Sequence, residues 1–483
     1  MELSKDLLSR QQVRELVVKA HLAQEKLAKL SQEEIDRIVK AVANAGMAHS
    51  EELAHLAVEE TGFGNVKDKI QKNRFAAQTV WEAVKDLKTV GILREDHKKR
   101  VWDIGVPVGV VAAIAPSTNP TSTVIYKTII ALKGGNAIIF SPHPGAKNCT
   151  EKAVEYLRSA AEMAGCPDGA IGCITIPTMD AVQELMRHPK VNLILATGGG
   201  AMVKSAYSSG KPAIGVGAGN GPAYLHPSCD LKKAMERIFH SKTFDNGTIC
   251  ASEQSIIYEK PMKDAVLAAI RQCGGYVLTE EESKKLSAFI LRPNGTMNPK
   301  IVGRTAKEIA EMASLGAEAK QAKVLLAQES EVGIGHPFSG EKLCPILALY
   351  EVEDEAAALS LSCAILHHEG SGHTFSIHAE DEAVVRRFAK EIPVSRFLVN
   401  TPAALGGIGA TTNLFPALTL GCGAVGGSSS SNNIGPLDLI NIRRVAWGVK
   451  ELQKETPVKS ATVPAVDEAL LAAITARLME KLN

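Results

Sequence analysis

A cysteine stands among small residues in the run TFDNGTICASEQ, Thr243 to Gln254. Cys250 follows Gly247-Thr248-Ile249 and precedes the β-rich stretch Ser255-Ile256-Ile257-Tyr258. A thiolate at that place adds to a carbonyl carbon and forms a covalent adduct. A cysteine in a core is only a small apolar filler. The chain has nine cysteines, and this loop alone does not choose between the two readings.

Other loops carry groups that suit a reacting cysteine. Asn119, in Ala115-Pro116-Ser117-Thr118-Asn119-Pro120, precedes a proline and is biased away from helical geometry. Its amide can donate to an oxyanion, although an isolated Asn-Pro is most often a turn. Ser141-Pro142-His143-Pro144 is a loop stiffened by two prolines, where a nucleotide ribose can lie. Thr197-Gly198-Gly199-Gly200 lets backbone N–H groups approach a pyrophosphate. Gly215-Val216-Gly217-Ala218-Gly219-Asn220-Gly221 is dense in glycine but is not GxGxxG.

The elements that must position these loops are legible as a pattern. Residues 3 to about 90 have apolar side chains at helical spacing, and Ser31 with Glu34 has the form of a capping box. From Val101 onward the character changes. Val108–Ile114, Ala137–Phe140 and Val191–Ala196 read as short apolar strands, with helices expected over Tyr126–Leu132 and Glu151–Ala164. Such alternation predicts βαβ units and parallel sheets covered on both faces. Ligands bind such sheets beyond the carboxyl ends of the strands. A second α/β stretch is expected from about Asp230 to Leu420. The fold class is therefore α/β, with parallel-sheet cores.

Composition narrows the partners. With 483 residues, two domains or more are expected. The formal net charge of +1 argues against a nucleic-acid partner or a polybasic membrane contact. The cysteines are unpaired in sequence, which excludes a disulfide framework or a zinc site and favours a reducing cytoplasm. No metal is expected. The first residues lack a signal-peptide pattern, and no apolar run is long enough to span a bilayer.

In order, APSTNP, GGN-AIIF-SPHP, LATGGG, the Gly-rich segment, NGTICAS and EKLCP resemble the aldehyde dehydrogenase superfamily. FDNGTICASEQS, GEKLCPILALYEVED, HHEGSGHTFSIH and TLGCGAVGGSSSSNNIGPLDLINIRRVA are similar to its CoA-acylating branch, which acts on acetaldehyde or propionaldehyde. The resemblance covers roughly residues 10 to 450. It implies two Rossmann-like domains and a small oligomerisation arm. It implies Cys250 as nucleophile and Asn119 as oxyanion donor, a donor being worth about 3–4 kcal/mol in such sites. His373 is implied as a base for an incoming thiol. Ser141, Pro142, His143, Thr197, Gly198, Gly199, Gly217, Glu341 and Leu343 are implied to hold the cofactor, with Glu341 on the nicotinamide ribose. The cofactor implied is NAD, with NADP left open, and coenzyme A is the co-substrate.

Two departures carry information. Hydrolytic relatives hold a water-activating glutamate in an E-L-G-G segment, whereas Gly215–Gly221 has no acid. Their lysine before the second-strand proline is Ser141 here. The first points to a thiol, not water, as acyl acceptor.

The division expected is 1–229 for helices and cofactor domain, 230–420 for the catalytic domain, 421–453 for the arm, 454–465 for a linker and 466–483 for an amphipathic helix. Val466, Leu470, Ile474, Leu478 and Leu482 form its stripe. This tail resembles the encapsulation peptides that dock acylating aldehyde dehydrogenases to bacterial microcompartment shells; packing on its own subunit is the alternative. A homodimer or homotetramer is implied, in the cytoplasm or inside a microcompartment.

Overall fold

The computed structural model describes residues 4–292, 297–452 and 465–482. The expected linker, apart from residue 465, lies outside the described residues. The chain opens with helices Lys5–Leu27, Gln32–Ala48, Ser50–Thr61 and Val66–Arg74. The second starts on the expected capping box: Ser31 Oγ accepts from the Glu34 N–H, and Glu34 Oε2 accepts from the Ser31 N–H at 2.7 Å. Its Ile35, Ile38, Val39 and Val42 are buried at helical spacing, so this helical layer closes one side of a core.

Strands β1 (Gly91–Asp96) and β2 (Val101–Pro107) form an antiparallel ribbon. Next come β3 (Val110–Ala115), β4 (Ala137–Pro142), β5 (Ile171–Cys173), β6 (Leu193–Thr197) and β7 (Ala213–Val216). They make a parallel sheet in the order β5-β4-β3-β6-β7. β3 and β4 are buried along their whole length, as the apolar runs Val110–Ala115 and Ala137–Phe140 require. The chain winds outward from β3 in one direction and then returns to β6 on the other side. The β3/β6 pair is thus a topological switch point, where loops part and leave a crevice. Lys127 spans this pair from below, donating to the carbonyls of Ile114 at 2.8 Å and Leu195 at 2.9 Å.

The second parallel sheet contains β8 (Gly221–Leu225), β9 (Glu253–Glu259), β10 (Gly275–Val277), β11 (Val324–Gln328), β12 (Ile346–Val352), β13 (Gly372–His378) and β14 (Val394–Val399). Its order is β10-β11-β12-β9-β8-β13-β14. The chain crosses between the sheets at residues 217–220, ahead of the division expected at 229/230. The glycine-dense run is accordingly part strand: it holds the end of β7 and the start of β8, with only four residues of loop between. β15 (Ile440–Ala446) returns to β2 as the third strand of the antiparallel ribbon.

The helix Glu468–Leu482 carries no buried residue. Among the described residues no helix is long and apolar enough to cross a membrane.

Candidate active site

Asn119 is the last residue before the Pro120–Lys133 helix, with Pro120 at the first helical position. Its side chain does not cap that helix. It turns instead to the loop before β9: Nδ2 donates to the Thr248 carbonyl at 3.1 Å. Its Oδ1 accepts from Lys72 Nζ at 2.6 Å. Nδ2 also donates locally to Thr118 Oγ1 at 3.3 Å, so the amide both braces its own turn and links two distant loops.

The loop that carries Cys250 has an unusual backbone. Asp245, Asn246 and Gly247 are left-handed, with φ of 47°, 53° and 76°. Short polar side chains tolerate that region, but consecutive residues there are strained unless their surroundings hold them. The restraint is the Asp245 carboxylate, which is fully buried. It accepts from the Asn65 N–H at 2.9 Å, Lys69 Nζ at 3.0 Å, Thr248 Oγ1 at 2.7 Å and Lys72 Nζ. Gly64 makes room for it, since a Cβ there would stand 1.8 Å from Asp245 Oδ1. Burial works to raise the Asp245 pKa, but Lys72 and Lys69 outweigh it and hold the carboxyl below its usual range. Burial pushes Lys72 down to about 8, with Asp245 opposing the fall.

Cys250 sits just ahead of β9, at its amino end. Burial, then the Glu341 carboxylate, push its thiol up to about 12, so it is protonated at neutral pH. Glu341 Oε1 accepts from the Gly219 N–H at 2.8 Å, and its own N–H donates to Glu369 Oε2 at 2.6 Å. Burial and the Glu369 charge raise Glu341 to about 8. His373, at the start of β13, is fully buried. Its Nδ1 meets Thr374 Oγ1 at 2.9 Å and its Nε2 has no partner. Burial and the Arg396 charge push it down to about 3, so the ring is neutral.

These groups surround two joined cavities at the switch point. The first, of about 350 Å³, is lined by Asn119, Cys250, Gly217, Glu341, Leu343, Lys72 and Thr248, among others. The second, of about 400 Å³, is lined by Ser141, Pro142, Pro144, Met179 and Met202. Both share His143, Thr197, Gly198 and Gly199. Every site residue expected from sequence therefore lines one cavity or both, except His373. That imidazole stands behind the wall, where a Cβ on Gly219 would lie 3.2 Å from its Cε1. The sequence reading missed Lys69, Lys72, Asp245 and Thr248.

The joined cavities fit a dinucleotide. Ser141 Oγ and Thr197 Oγ1 are buried with no hydrogen-bond partner, at the carboxyl ends of β4 and β6. Gly199 and Gly200 open the Gly200–Tyr207 helix, and no atom lies within 4 Å of where their Cβ would be. Free N–H groups at a helix start suit a phosphate.

The model of the aldehyde dehydrogenase family matches residues 5–411. The chain belongs to this family. It is 44% identical over 466 residues to the bifunctional aldehyde-alcohol dehydrogenase AdhE of Escherichia coli, covering 94% of this chain and 52% of that protein. The chain thus spans about half the length of the aldehyde-alcohol dehydrogenases it matches. It is similar along nearly the full length of a succinate-semialdehyde dehydrogenase (acetylating) of Clostridium kluyveri, at 36% identity, covering 94% of this chain and 98% of that one. The crystal structure of an acetylating aldehyde dehydrogenase from Geobacillus thermoglucosidasius superposes with a TM-score of 0.92 at 52% identity, covering 94% of this chain and 100% of that one. The two-sheet α/β architecture expected from sequence is that of this family.

Proposed function

We propose that this aldehyde dehydrogenase oxidises a short-chain aldehyde, acetaldehyde or propionaldehyde, to its acyl-CoA, reversibly. The balance is aldehyde + CoA–SH + NAD⁺ → acyl-CoA + NADH + H⁺. One observation carries the choice of acceptor. The cavity wall contributed by residues 216–218 has no carboxylate. Glu341 is the one carboxylate among the described lining residues, and its Oε1 is taken by the Gly219 N–H. Water therefore lacks a free carboxylate to act as its base, and a thiol is the better acceptor.

Each step falls to a residue of this chain. Cys250 Sγ gives its proton to solvent and bonds to the carbonyl carbon of the aldehyde, the C=O pair moving to oxygen to give the oxyanion of a thiohemiacetal. The developing oxyanion takes hydrogen bonds from the Cys250 backbone N–H and from Asn119 Nδ2, which exchanges its 3.3 Å bond to Thr118 Oγ1 for it. A nicotinamide dinucleotide, held by Ser141, His143, Thr197, Gly198, Gly199 and Glu341, supplies the hydride acceptor when bound. Loss of hydride leaves a thioester on Cys250; the thiol of coenzyme A, giving up its proton, bonds to the acyl carbon, and the acyl–Sγ bond breaks to release Cys250, which takes a proton back. We assign NAD; the described lining of the second cavity has neither a carboxylate to repel a 2′-phosphate nor a Lys or Arg to bind one, so NADP also fits. Mass spectrometry tests the scheme. With aldehyde and NAD⁺ but no CoA, Cys250 should gain one acyl group; an unmodified Cys250 would refute it.

Two surfaces bear on partners. β15 is exposed over most of its length, and we assign it to a homodimer or homotetramer contact. The helix Glu468–Leu482 presents Leu470, Leu471, Ile474 and Leu478, each more than half exposed. We read it as the docking helix for a microcompartment shell. Deleting residues 458–483 should leave turnover intact and abolish co-purification with shell proteins; loss of turnover would overturn this reading.

A further inference from the structure

We propose that Lys72 is a positioning residue that sets which way the Asn119 amide faces. The inference rests on Asn119 as an oxyanion donor. An amide side chain has two ends of nearly equal shape, one accepting and one donating. Packing alone does not tell them apart; hydrogen bonding does.

A lysine ammonium has three N–H donors and no acceptor. All three are used here. They go to Asn119 Oδ1 at 2.6 Å, to Thr248 Oγ1 at 3.0 Å and to Asp245 Oδ2. Reversing the amide would set its NH₂ against the ammonium of Lys72, which is buried and already spends all its donors. It would also leave the Thr248 carbonyl facing Oδ1, acceptor against acceptor. With Lys72 charged, only one orientation is allowed, and it points Nδ2 toward the Cys250 loop. Donation into Oδ1 also polarises the amide, so its N–H groups become better donors.

The same ammonium holds Thr248, two residues before Cys250. Both oxyanion donors, the Asn119 side chain and the Cys250 main chain, therefore hang on one buried cation. Asp245 keeps that cation charged against burial. Lys69 shares Asp245 but reaches the Thr118 carbonyl at 2.9 Å and makes no hydrogen bond to the Asn119 side chain. It is a built-in control: the same carboxylate, without the amide.

A double-mutant cycle on the full chain tests this, read as kcat and KM with acetaldehyde, NAD⁺ and CoA. Asn119→Ala should lower kcat by about 10²–10³-fold, as loss of an oxyanion donor does elsewhere. Lys72→Met should lower kcat by roughly tenfold or more with little change in KM, because the donor remains but its aim is lost. The double variant should be no worse than Asn119→Ala alone. Losses that multiply would overturn the proposal. Lys69→Met should multiply with Asn119→Ala; if it too is masked, the effect belongs to the whole ion cluster and the proposal fails. A wild-type chain without turnover, or an Asn119→Ala variant as active as wild type, would refute the underlying reading instead. Where Lys72→Met does not fold, neutron diffraction from wild-type crystals reads the amide directly. Deuterons on the atom facing the Thr248 carbonyl support the proposal, and deuterons on the atom facing Lys72 overturn it.

Discussion

Gly219 lies so close to Cys250 that a Cβ on it would stand 1.9 Å from the Cys250 carbonyl oxygen. The glycine-dense run is thus not only a turn. It lets the wall between the two sheets press against the backbone of the nucleophile, while its N–H holds Glu341. Gly219→Ala must push the Cys250 loop away. We expect kcat/KM to fall about 10²-fold, since displacements near 1 Å cost that much in sites of this kind. Near-wild-type kinetics for this variant would show that the contact does not set the position of Cys250.

The thiol of Cys250 should titrate late. With its pKa pushed up to about 12, inactivation of the cofactor-free protein by iodoacetamide should keep quickening from about pH 7 to 10, by about tenfold per pH unit except near pH 8, where Glu341 ionises and the rise is shallower. A plateau by about pH 8.5 would mean that the thiolate is already formed there. Glu341 ionises only as pH rises through about 8, and its charge then opposes loss of the Cys250 proton. Glu341→Gln should therefore speed alkylation at about pH 9 and weaken cofactor binding. Slower alkylation in that variant would contradict the sign of the coupling.

The substrate should be uncharged. Among the described residues lining the first cavity, Lys72 is the only Lys or Arg, and its three donors are committed. An aldehyde with a carboxylate or sulfonate would enter without a partner for its charge. We expect kcat/KM for acetaldehyde or propionaldehyde to exceed that for succinic semialdehyde or sulfoacetaldehyde by roughly tenfold or more. Equal or higher values for the acids would place an anion site in this cavity.

Much of this site was legible because chemistry and order coincide along the chain. Asn119, Ser141 and Thr197 follow apolar strands, and strand ends are where a parallel sheet exposes its loops. The knot under the site was not legible. Val66–Arg74 reads as a charged, solvated helix, yet Lys69 and Lys72 are buried there. Their partner Asp245 lies 173 residues beyond Lys72, and no local pattern announces so distant a pairing. The ends of β7 and β8 inside the glycine-dense run were not legible, because glycine masks a strand when its close packing cannot be seen. His373 was expected near the active site as a base for an incoming thiol; its ring is buried beside Gly219, next to the Cys250 backbone.

The role of coenzyme A as acyl acceptor is tested most directly by following NADH with acetaldehyde or propionaldehyde, with and without coenzyme A, while assaying products. We expect sustained turnover only with coenzyme A, one acyl-CoA for each NADH. Without it, NADH should stop after a single burst no larger than the Cys250 present. Sustained turnover to free acid without coenzyme A would contradict the assignment.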